Sequence, residues 1–113
     1  MFGLSREPAR FRYNSGPMAR YRIIQWRDLP SLVEAEDGGA TVRVPLSQRF
    51  QDLIDAVAMR EGATETDAYL EGWAPGPESE RSGDAEAVAR QVAGELETGF
   101  PDLVLRRLVG PPG

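Results

Sequence analysis

The chain has no histidine, no cysteine and no lysine, and its thirteen basic residues are all arginine. Without histidine there is no imidazole base, and no serine can be activated as in a Ser-His-Asp triad. Without cysteine there is no thiolate nucleophile, no disulfide and no thiolate ligand for zinc or an iron–sulfur cluster. Without lysine there is no amine for a Schiff base. No apolar run approaches the roughly 18 residues that mark a membrane-spanning helix, and no basic start leads into an apolar segment as in a secretory signal. The expectation is a non-enzymatic, cytoplasmic protein without cofactor or metal, built as one domain of modest core.

What is present is asymmetric in charge. Residues 1–30 carry +4 and residues 31–113 carry −9. A body this acidic lacks the positive footprint that nucleic acid requires. Residues 1–17 mix Gly, Ser, Pro, Asn and Arg without periodicity and read as a basic N-terminal extension. The domain then runs over 18–109, and 110–113 is a Pro/Gly tail.

Within the domain, residues 19–26 (ARYRIIQW) read as a strand with apolar groups on both faces, broken by Arg27-Asp28-Leu29-Pro30. Two alternating runs flank Asp37-Gly38-Gly39 in 31–46 and predict a β-hairpin. With Gly38-Gly39 as the loop, Val33 faces Val44, Ala35 faces Val42, and Glu34 faces Arg43 as an opposite-charge pair. The rival register, with Asp37-Gly38 in the turn, loses that pair.

Residues 48–61 follow helical spacing through Phe50, Leu53, Ile54, Val57 and Ala58, with Ser47 as candidate N-cap and Gly62 as the stop. Residues 68–74 (AYLEGWA) are read as a fourth strand, with a short helix as the competing assignment, and 75–83 as a loop. A second helix over 84–98 starts at Asp84, carries an Ala85–Val88–Ala89–Val92–Leu96 stripe and ends at Gly99 and Pro101. Residues 102–109 suit either a strand or a helical turn. The order β-β-β-α-β-α predicts an α+β two-layer sandwich: a four-stranded, largely antiparallel sheet with two helices on one face. The other face would then expose Tyr21, Trp73 or both, and such a face would suit a partner or self-association.

The chemistry left to the chain is weak. Its acids lie on turns and exposed helix faces, no Asp-x-Asp-x-Asp-Gly calcium loop occurs, and no glycine pattern matches a phosphate loop. A hydrolase using only acids is the least favoured reading. The block Trp26-Arg27-Asp28-Leu29-Pro30 has two readings. In the first, Trp26 fills core, Asp28 caps the turn, and Arg27 pairs with Asp67 or Glu71. In the second, Trp26, Arg27 and Trp73 form an interaction hot spot, since Trp and Arg dominate such surfaces. Arg27, Arg49 or Arg60 with Tyr69 and Trp73 would alternatively suit a small anionic ligand.

The stretches Ile24 to Ser31, Arg49-Phe50-Gln51 with Ile54-Asp55 and Ala58-Met59-Arg60, and Thr66-Asp67-Ala68-Tyr69-Leu70 with Trp73 resemble a bacterial domain family labelled "virulence factor". The resemblance covers about residues 20–100 and departs from the family pattern at Ser31-Leu32 and Gly72. It implies an accessory subunit rather than a catalyst, in a setting such as corrinoid- or folate-linked methyl transfer. The expected function is therefore a non-catalytic domain that binds a protein partner, with a folate- or nucleotide-like anion as the alternative ligand. The residues expected at the site are Trp26, Arg27, Asp28, Pro30, Arg49, Arg60, Asp67, Tyr69 and Trp73.

Overall fold

A computed structural model describes residues 17–109, and for Val109 only the backbone. The proposed arm and tail therefore lie outside the described residues, apart from Pro17. The fold is α+β. In chain order it runs β1 (Met18–Trp26), β2 (Leu29–Glu36), β3 (Thr41–Pro45), α1 (Gln48–Arg60), α2 (Thr66–Glu71), β4 (Trp73–Pro75), β5 (Ser79–Ser82), α3 (Ala85–Thr98), α4 (Phe100–Val104) and a π-helical turn over Leu105–Val109. The sheet is antiparallel and ordered β3-β2-β1-β4, with β5 also on β1. It is a two-layer arrangement, with the helices closing one core against the sheet.

The β2–β3 hairpin has the register that the Glu34–Arg43 pair favours. Leu32 meets Pro45, Val33 meets Val44, Glu34 meets Arg43 and Ala35 meets Val42. Asp37 fastens the turn and more: its Oδ1 accepts from the amides of Gly39 and Ala40, each at 3.0 Å, and its Oδ2 accepts from the amide of Ala85 at 2.8 Å. One side chain thus ties the hairpin to the start of α3. Asp84 caps the same helix, accepting from the Ala87 amide at 2.8 Å.

The amide of Ala85, then those of Gly39 and Ala40, hold the Asp37 carboxyl below its ordinary range. A carboxyl whose folded pKa lies below its unfolded value contributes stability that is complete above the unfolded pKa, about 4, and is lost as pH falls through the folded value. Asp37→Asn retains an acceptor for the turn but presents an amide to Ala85. The expected result is a lower urea midpoint near about pH 7 and a shallower decline on acidification than in the wild type. An unchanged acid limb would assign that decline to the other depressed carboxyls.

Helix α1 buries the predicted Phe50, Leu53, Ile54, Val57 and Ala58; α3 buries the predicted Ala85, Val88, Ala89 and Val92 together with Ala93, and leaves Leu96 half-buried. They pack on Ala19, Val33 and Ala35 in a continuous core. Ser47, however, makes no side-chain cap to α1. Its hydroxyl and amide instead donate to Glu97 of α3, at 2.8 and 2.7 Å, so the start of α1 is held by a neighbouring helix.

Three expectations are corrected. Residues 66–71 are helical, and only Trp73–Pro75 extends as a strand. The indole Nε1–H of Trp26 donates to the Tyr69 carbonyl at 2.7 Å, which also accepts from the Gly72 amide at 3.2 Å, so the ring fastens the last turn of this short helix. The loop assigned to 75–83 contains β5, paired with β1 from Met18–Ser82 to Tyr21–Ser79. Proline and glycine persist there because β4 and β5 lie on the sheet edge, where a missing donor faces away from the ladder. Lastly, of the two aromatics expected on the other sheet face only Trp73, the cross-strand partner of Trp26, lies there, and the centre of that face is charged. Arg20 pairs across with Glu36 and Arg22 with Glu34, whose carboxylate also accepts from Arg43. Tyr21, by alternation, packs inward against the core beneath the Arg81 guanidinium, 5.3 Å away.

Candidate functional site

The Trp26–Pro30 block forms the β1–β2 hairpin tip, with Trp26 paired to Leu29 and Arg27-Asp28 as the loop. By alternation Trp26 falls on the face of Arg20 and Arg22, yet it is completely buried. The ring of Tyr69, on α2, stacks on it at 5.9 Å and 28°. Trp73, its cross-strand neighbour, meets Tyr69 edge-on at 6.0 Å. Trp26 and Tyr69 thus fill core, while Trp73 is half-buried at its margin. Among the described residues, Trp26 is the largest of the side chains removed from solvent.

Arg27 has φ of +55°, the one positive value among the described non-glycine residues. Such backbone costs about 1–2 kcal/mol for a residue with a Cβ, and the surroundings hold it in place. The Arg27 amide donates to the Gly72 carbonyl at 2.7 Å, its guanidinium lies 4.5 Å over the Trp26 ring, and Glu61 pairs with it. Glu61 also accepts from Arg107 at 3.2 Å, and Arg107 pairs with Asp28. Arg27, Glu61, Arg107 and Asp28 form an alternating chain of charge that clamps the hairpin tip to the C-terminal turn. Arg27→Gly relieves the backbone but loses the side chain, whereas Arg27→Ala loses both advantages. Thermal melts should rank wild type first and place Arg27→Gly above Arg27→Ala by about 1 kcal/mol; the reverse order would mean that the left-handed turn is not retained.

The other expected residues do not converge on this corner. Arg49 donates to Glu97 and lies 4.4 Å over the Phe100 ring. Arg60 donates to the Leu108 carbonyl. Asp67 is exposed in the first turn of α2. Of the three arginines only Arg27 stands at the Trp26–Tyr69–Trp73 corner, and each of the three guanidiniums is engaged within the chain. The carboxyls with displaced pKa values, Glu34, Asp37, Glu95 and Glu97, are all held down. Arg43 and then Arg22 lower Glu34, and Arg81 lowers Glu95. Burial pushes Glu97 up, but Ser47 and Arg49 outweigh it. A general acid would need the opposite shift. Among the described residues no three acids converge to hold a metal ion.

The concave feature that sequence reasoning missed lies beside the hairpin. Pairing is regular from Arg20–Glu36 to Ile24–Leu32, but the register then slips, so that Gln25 meets Pro30 and Ser31 is left over. Beside this bulge lies a cleft of about 350 Å³ between the sheet, α1, α3 and α4. Ile23, Phe50, Leu96 and Leu103 form its apolar lining, and Gln25, Asp102 and Arg106 are among its polar groups. Only Pro30 and Asp28 of the expected set reach it. The sequence carries no signal of it, because a bulge has no compositional mark of its own.

Fold and site together define a small α+β domain whose signature residues knit distant parts of the chain together, with an apolar cleft beside them. Residues 24–109 match the family model described as virulence factor, and the chain belongs to that family. The match extends through Arg107, the partner of Asp28. No curated protein and no solved structure matches the chain. No helix among the described residues is long and apolar enough to cross a membrane.

Proposed function

We propose that this domain is a non-catalytic accessory domain that binds a protein partner, and that it does so at the cleft between the β1–β2 bulge, α3 and α4. The observation that carries this reading is the cleft's apolar lining, open to solvent on a surface whose arginines are otherwise largely engaged. An apolar hollow with a few polar groups on its margin is the usual form of a recognition site, and the depressed carboxyls favour holding over transforming. The aromatic corner is set aside as the contact surface because Trp26 supports the fold. The partner fits best as an enzyme of a larger cytoplasmic system, and corrinoid- or folate-linked methyl transfer is the setting that the family resemblance suggests.

Leu96→Glu places a charge in the cleft at a half-buried position. A partner captured from host lysate by the wild-type chain, then purified, should bind Leu96→Glu at least about tenfold more weakly, a difference of about 1.4 kcal/mol. Arg106→Glu, on the exposed margin, guards against a folding defect. Equal binding by both variants would refute the cleft, and turnover by the purified polypeptide would refute the non-catalytic reading.

A further inference from the structure

The groups left unengaged around the cleft specify what a partner must present; this step rests on the cleft being the binding surface. Of the acids there, Asp28 is taken by Arg107, and Glu95 accepts from Arg81 at 2.7 Å. Asp102 and Arg106 differ. Among the described residues, neither makes an ion pair or a side-chain hydrogen bond. They stand four apart, a spacing at which opposite charges on a regular α-helix usually meet. Here α4 gives way to the π-helical turn at Leu105, and its wider winding moves Arg106 out of that register. The Gln25 side chain also lines the cleft, close to Gly76, with no hydrogen bond among the described residues. A primary amide both donates and accepts, as a peptide group does.

We infer that the cleft receives an extended peptide segment of the partner: one apolar side chain against Ile23, Phe50 and Leu103, a backbone amide at Gln25, a basic side chain at Asp102 and an acidic one at Arg106. A lone anion is a poorer fit, because the Asp102 carboxylate on the cleft would repel it. A volume of about 350 Å³ lies at the small end of the 300–1,000 Å³ typical of ligand pockets, enough for a single anchoring side chain. The order of the two charges along the peptide then sets its direction.

Four fluorescein-labelled heptapeptides test this. Each carries phenylalanine at its centre and, two positions to either side, glutamate then lysine, lysine then glutamate, two glutamates or two lysines. Fluorescence polarisation with the full chain should show one mixed order binding at least about fivefold tighter than either like-charged peptide. The paired reversal Asp102→Arg with Arg106→Asp should transfer the preference to the other mixed order, with the urea midpoint retained. Equal binding of all four, binding of none, or a preference that survives the reversal would overturn the inference. Binding that appears only where light scattering detects self-association would give the cleft to a second copy and also overturn it. If the purified partner still distinguishes Leu96→Glu from wild type while the peptides fail, the binding surface stands and the peptide specificity falls; if the partner ignores Leu96→Glu, both fall.

Discussion

Trp26→Ala is expected to lower the free energy of unfolding by about 3–5 kcal/mol, the largest effect of any single substitution considered. The ring is wholly buried, stacks on Tyr69, has the Arg27 guanidinium over it, and donates to the Tyr69 carbonyl. Alanine leaves a cavity at the junction of the hairpin tip and α2, and also removes the stronger of the two hydrogen bonds to the Tyr69 carbonyl. Against a total of about 5–15 kcal/mol for a domain of this kind, most of the cooperative transition would be lost. Trp26→Phe separates the contributions, because it keeps an aromatic ring but not the N–H, and about 1 kcal/mol of the loss should follow the hydrogen bond. Urea unfolding monitored by far-UV circular dichroism measures both. A wild-type midpoint for Trp26→Ala would return the aromatic corner to consideration as a contact surface.

Gly72→Ala should be the next most damaging, at about 1–3 kcal/mol, although alanine is normally the better residue in helical backbone. Gly72 has ordinary right-handed dihedrals, φ −75° and ψ −19°, so conformational freedom is not its reason. The reason is close approach: a Cβ there would lie within 2.8 Å of three atoms of the Trp26 indole. Relief requires the ring to move away from Tyr69 or the Arg27–Gly72 backbone bond to lengthen. The two sites should therefore be strongly coupled. In a Trp26→Phe background, Gly72→Ala should cost less than in the wild type, and a double-mutant cycle reads that difference directly. Additive costs would show that the indole does not set the limit at Gly72.

The parts of the molecule that were legible in the chain are those governed by neighbours in sequence. The β2–β3 register followed from Gly38-Gly39 and the Glu34–Arg43 pairing, because a two-residue loop leaves a hairpin little choice. Helices α1 and α3 followed from stripes long enough to establish a period. The six residues of α2 could not reveal one, and β5 was hidden by edge prolines and glycine. The signature block was recognised with two roles open, and its packing follows the structural one, with Glu61 rather than Asp67 or Glu71 as the acid beside Arg27. The partners themselves were out of reach of local reasoning: Glu61 for Arg27, and for Asp28 Arg107, 79 positions away.

The sequence by itself determined which reactive groups are missing, where the main hairpin and helices lie, and that the domain belongs to the α+β class, since composition and local periodicity depend only on nearby residues. Tertiary structure alone decided that Trp26 is core, that the centre of the open sheet face is a ladder of arginine and glutamate, and that a cleft lies beside the slip at Ser31 and α4. Each of these depends on contacts between segments distant in sequence, and burial and charge pairing are properties of such contacts rather than of any residue alone.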